Sequence, residues 1–141
     1  MIPIANDDID NWLIVLKPYQ ADSIRLLINE YGDENAAEKW LTANGPSNQV
    51  AFGGISDQNQ DNTFYTNFKI EFHKFICGDP KYETERNRLG VSLIAPKQLI
   101  ISIISGALGA TFGVTGALLA PAVCVLLFIV GKMGVNAYCA T

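Results

Sequence analysis

The chain is poor in the side chains that most chemistry needs. Its 141 residues include one histidine, His73, and three cysteines, Cys77, Cys124 and Cys139. One histidine excludes a multi-histidine metal centre, and any Ser-His-Asp or Cys-His site would have to use His73. Cys77 follows four residues later, on the same face if the segment is helical. No orienting acid or oxyanion motif accompanies the pair, so no catalytic role is assigned and no enzyme is expected. The cysteines lie 47 and 15 residues apart, with no CxxC. That spacing is neither a disulfide framework nor a zinc pattern, and three reduced thiols are expected.

Other absences narrow the field further. Asp7, Asp8, Asp10, Asp57 and Asp61 lack the glycine and closing glutamate of an EF-hand, so they read as caps and solvated faces. Gly53-Gly54 has no following Gly-Lys-Ser/Thr, which excludes a P-loop. No cofactor or metal is expected. The start, MIPIANDDID, has neither a basic n-region nor an apolar h-region, so no signal peptide is expected. Basic residues are scarce where they would cluster for phosphate. Residues 1–62 carry a net charge of −7, residues 63–97 carry +2, and Lys132 adds the last +1. An acidic front argues against a nucleic-acid partner.

The largest absence is of charge in the last third. From Gln98 to Gly131, 34 consecutive residues carry no charged side chain, with Lys97 just before the run and Lys132 just after it. About 20 apolar residues cross a hydrocarbon core as a helix. The reading is therefore all-α: a polar helical head over 1–90, a linker over 91–97 and a hydrophobic helical tail over 98–141.

Within the head, acids before Trp12 suit a helix start, and Pro18 ends that element after Lys17. Ile24, Leu27, Ile28 and Tyr31 recur on one face of a helix over Tyr19–Tyr31, with Gly32 as its stop. Asp33 caps a third helix over Glu34–Leu41, with Ala37, Trp40 and Leu41 inward. Residues 44–62 have loop composition, anchored only by Val50, Phe52 and Ile55. Phe64, Phe68, Phe72 and Phe75, with Ile76, form an aromatic stripe at helical spacing. It reads first as head core and second as a face for membrane or a neighbour. Gly78-Asp79-Pro80 turns the chain into a helix over Lys81–Leu89, with Lys81–Glu85 and Glu85–Arg88 at pairing distance.

The tail admits three arrangements. One straight helix would be ~51 Å long, well beyond a bilayer core. One span over Phe112–Gly131 could follow a separate helix over Leu99–Thr111. A hairpin could break near Gly116 or Pro121, which puts Lys97 and Lys132 on one side as membrane-flanking residues, with Tyr138 as an interface anchor. Ser105, Gly109, Gly113 and Ala117 recur every four positions as a small-residue face for helix–helix or oligomer contact.

The expectation that follows is a membrane-acting, self-associating protein at the inner membrane with a cytoplasmic head. Its partners would be the lipid bilayer, further copies of the chain, and a regulatory protein or small ligand at the head. A pore-forming effector of a bacterial defence or toxin system has this layout, by architectural analogy. The alternative is a soluble cytoplasmic adaptor or structural subunit whose tail is a buried hairpin.

Overall fold

The computed structural model describes residues 2–44, 59–90 and 95–140, all α-helix, turn or extended connection, with no strand among them. The helices are α1 (Ile9–Leu13), α2 (Pro18–Tyr31), α3 (Asp33–Asn44), α4 (Asn59–Cys77), α5 (Glu83–Asn87), α6 (Lys97–Phe112), α7 (Gly116–Met133) and α8 (Val135–Cys139). The all-α reading holds. Residues 45–58, with the anchors Val50, Phe52 and Ile55 and the Gly53-Gly54 pair, lie outside the described residues. So does the 91–94 part of the linker.

Local signals account for most boundaries. Pro18 is the first residue of α2, a position where its missing N–H costs nothing. Gly32 ends α2 at φ 88°, a conformation that favours glycine. The Asp79 side chain accepts from the Lys81 N–H at 2.9 Å and caps a 3-10 turn over Pro80–Tyr82 that leads into α5. The expected pairs on Lys81–Leu89 do not form. Lys81 reaches back to Glu71 on α4 at 2.8 Å instead, because the 3-10 turn changes its direction.

The apolar run folds as a hairpin. Residues 113–115 separate α6 from α7, so the break precedes Gly116, and α7 continues straight through Pro121. A proline inside a helix removes one N–H, here the partner of the Ala117 carbonyl four residues back. The Gln20 Nε2 donates to that carbonyl at 2.9 Å, and the Trp40 Nε1 donates to the neighbouring Leu118 carbonyl at 2.8 Å. The Gln20 side chain of α2 thus supplies the donor that Pro121 withholds, and the expected break there does not occur.

Residues of head and tail share one core. α7 packs against α1, α2, α3, α6 and α8, and ten of its 18 residues are buried. Phe68, Phe72, Phe75 and Ile76 of α4 are fully buried in the same core. Phe64 is half-buried, its ring 5.0 Å from Phe112 in a T-shaped contact. The aromatic stripe is therefore core, and the docking-face reading falls.

The four small residues do not line one face. Gly113 caps α6 in the left-handed conformation, φ 73°, so the helical register ends before Ala117. Ser105 and Gly109 instead meet Gly116 across the hairpin. A Cβ on Gly109 would lie 2.7 Å from the Val114 carbonyl oxygen, and one on Gly116 would lie 3.1 Å from the Ser105 backbone. Gly113 and Ala117 are exposed. The close approach expected between copies is thus made within the chain by Ser105, Gly109 and Gly116.

Gly109→Ala is expected to cost about 1–3 kcal/mol in a urea melt, because the new methyl meets backbone rather than a movable side chain. Gly106, on the same helix, has open space where a Cβ would go. Gly106→Ala should be neutral or stabilising by up to ~1 kcal/mol. Equal shifts for the two would contradict the hairpin geometry.

Candidate functional site

Among the described residues, no three His, Cys, Asp or Glu side chains converge on a metal-sized site. His73 Nε2 lies 3.6 Å from Cys77 Sγ, but Cys77 is bonded to Cys139 in a disulfide. The expectation of three reduced thiols is corrected: only Cys124 is free, and it is buried in α7. Spacing gave no sign of this pairing, because the bond closes a separation of 62 residues. It forms because the chain turns at Gly134 and α8 packs back on α4.

Glu71 gathers three donors. Its carboxylate accepts from Tyr82 Oη at 2.5 Å, Lys81 Nζ at 2.8 Å and Lys74 Nζ at 3.4 Å. Partial burial works against ionisation, but these donors outweigh it and the net shift of its pKa is downward. Tyr82 also meets Thr111 of α6 at 2.9 Å, and burial pushes its hydroxyl well above the ordinary phenol range. The cluster ties α4, the 3-10 turn and α6 together, a structural role.

The hairpin carries the small residues and the flanking lysines singled out from the sequence. α6 and α7 run antiparallel, so the residues that flank the apolar run, Lys97 and Lys132, stand at one end and residues 113–115 form the opposite tip. Lys97 is engaged: its Nζ is 2.7 Å from Asp7 Oδ2 and 5.0 Å from the centre of the Trp12 ring. Its hydrogen bond, with those from Asn11 Nδ2 and the Asp8 N–H, holds the Asp7 carboxyl down at about pKa 2. Lys132 Nζ lies 5.1 Å over the Phe128 ring. Tyr138 does not stand free as an interface anchor. Its ring packs on His73 at 5.0 Å and Phe72 at 6.2 Å.

The outward side of the hairpin is unusual for a water-facing surface. Ala110, Thr111, Gly113 and Thr115 are exposed, small and uncharged, and so are Ser102, Gly106 and Ala117, which face a cleft against α1 and α2. An ordinary surface helix carries charge on its outer face. Four residues were missed from the pattern: Gln20 and Trp40, which hold the first turn of α7, and Cys77 and Cys139. Pro121 was the signal for Gln20, since a proline that does not end a helix leaves one carbonyl to be satisfied from elsewhere.

Replacing both Cys77 and Cys139 by Ser is expected to lower unfolding free energy by about 2–5 kcal/mol, as for loss of a native disulfide closing a long loop. The check is a denaturant melt of the oxidised protein beside the variant. A reductant that leaves the wild-type midpoint unchanged would contradict a structural bond. No protein-family model matches the chain, and no curated protein or solved structure matches it either.

Proposed function

We propose that the chain is a membrane-inserting protein that stores an uncharged helical hairpin in its own core and delivers it tip-first into a bilayer. The observation that carries this reading is the uncharged outer face of α6 and of the hairpin tip. Burial explains apolar residues on the inner face, but it does not explain the absence of charge where the hairpin meets solvent. A face that later meets lipid needs that absence.

The dimensions agree. α6 has 16 residues and α7 has 18. At the helical rise they extend about 24 and 27 Å, close to the ~30 Å of a hydrocarbon core. Lys97 and Lys132, at the trailing end, can snorkel to the near interface. α7 is long and apolar enough to cross a membrane. In lipid, where helices associate by close packing, the exposed Gly106 and Ala110 offer a small-residue surface to further copies. Self-association there would permeabilise the membrane, and use as an effector in a bacterial defence or toxin system rests on architecture alone.

The Cys77–Cys139 disulfide favours an oxidising compartment for the stored form over the cytoplasmic head inferred from the flanking lysines. The lysine rule describes helices inserted during synthesis, and a hairpin that folds first is outside its scope. The second reading is a soluble all-α adaptor or structural subunit, favoured by the burial of ten residues of α7, since the core helix of a soluble protein looks the same.

Gly106→Asp separates the two. Gly106 is exposed, near the middle of α6, and has open space at its Cβ position, so the variant should stay folded. A charge at the hydrocarbon centre is disfavoured by about 2.5–3.5 kcal/mol. Wild type is expected to float with anionic vesicles and release a trapped dye, and Gly106→Asp to do neither. Wild type that stays out of the vesicle fraction, or a variant as active as wild type, would refute insertion.

A further inference from the structure

We infer that the cleft between the α1–α2 corner and the hairpin is a binding site for a small anionic amphiphile, an acyl chain with a carboxylate head. This inference does not depend on membrane insertion. The cleft encloses about 350 Å³, within the range of small-molecule sites. It follows α6 from Gln98 to Gly106, a rise of about 12 Å that a medium-chain acyl group fills.

Three observations converge there. The described residues include two buried polar side chains, Gln20 at 5% exposure and Ser105 at 4%, and both line this cleft. The Ser105 Oγ is buried with no hydrogen-bond partner among the described residues. Gln20 spends its Nε2 on the Ala117 carbonyl.

The electrostatics select the sign of the ligand. Lys17 is the one charged side chain in the lining, and no acid is present. Lys17 makes no ion pair among the described residues. α2 and α7 both present their first turns to the cleft, through Gln20 and through Gly116 and Ala117, and neither start has a side-chain cap. Uncapped amides and the positive ends of two long helices favour an anion beside Lys17. The apolar part of the lining, Val15, Leu16, Ile101 and Ala120, suits the chain of such a ligand.

The test is calorimetric titration of the full oxidised chain with decanoate below its micelle concentration, without vesicles. One molecule is expected to bind per chain with Kd below about 1 mM. Decyltrimethylammonium, of equal chain length and opposite charge, should not bind. Lys17→Gln is expected to weaken decanoate about fivefold. Gly106 has open space at its Cβ position, so Gly106→Leu should fold normally and abolish binding by filling the cleft. Absence of saturable decanoate binding would overturn the inference. So would equal binding of the cationic amphiphile, or decanoate binding unchanged in a folded Gly106→Leu variant. Since no membrane is present, failure here leaves the insertion reading standing, and failure of insertion leaves this result standing.

Discussion

Two hydrogen bonds to the first turn of α7 hold the architecture together. Pro121 leaves the Ala117 carbonyl without its helical partner, at a partly buried position that needs another donor. Gln20 supplies one donor and Trp40, on the adjacent Leu118 carbonyl, the other. Both donors come from helices that pack on α7. Dispersion and burial hold the helices together but do not set their register. A directed bond to one carbonyl does. The most apolar helix of the chain is thereby fixed to the most polar part of it.

That arrangement also defines what release of the hairpin would require. Outside the bundle, the Ala117 and Leu118 carbonyls need new partners, and hydrocarbon offers none. They lie within the first three residues of α7, beside the tip, where the far headgroup region could hydrate them. The opposite end is held differently. Asp7 clasps Lys97, the backbone of Ala5 and Asn6 crosses Gly131 too closely to admit a side chain there, and the disulfide ties α8 to α4. The tip end is held by Gln20, Trp40, Phe64 and Tyr82, so release that begins at residues 113–115 would have to break those contacts first.

Much of the fold was legible from local rules. Gly32 after an amphipathic run, Asp79-Pro80 at a turn and phenylalanines at spacings of four and three all reported their structure directly. A hairpin in the charge-free run was one of three open arrangements, and chain length alone could not choose among them. What stayed hidden depends on contacts distant in sequence. The Cys77–Cys139 bond follows from α8 returning to α4, which no spacing encodes. The small-residue face was misread because a repeat of four assumes an unbroken helix, and Gly113 ends it. The close-packing role was real but passed to Gly116, on the other arm. The cleft beside Gln20 needs three helices to meet, so the sequence held its residues without their proximity.

The measurement that bears most directly on a stored hairpin is intrinsic tryptophan emission. Trp12 is fully buried, its carbonyl 3.6 Å from the Cys124 sulfur of α7, and Trp40 donates to the Leu118 carbonyl. Trp12 lies in the core on α1, which packs on α7, and Trp40 bonds to α7, so removal of α7 changes the surroundings of both. On addition of anionic vesicles to the full chain, the emission maximum should move to longer wavelength as the hairpin leaves and the indoles meet water. An emission spectrum unchanged by vesicles, under conditions where the protein remains folded, would contradict release of the hairpin and leave it a permanent part of the core.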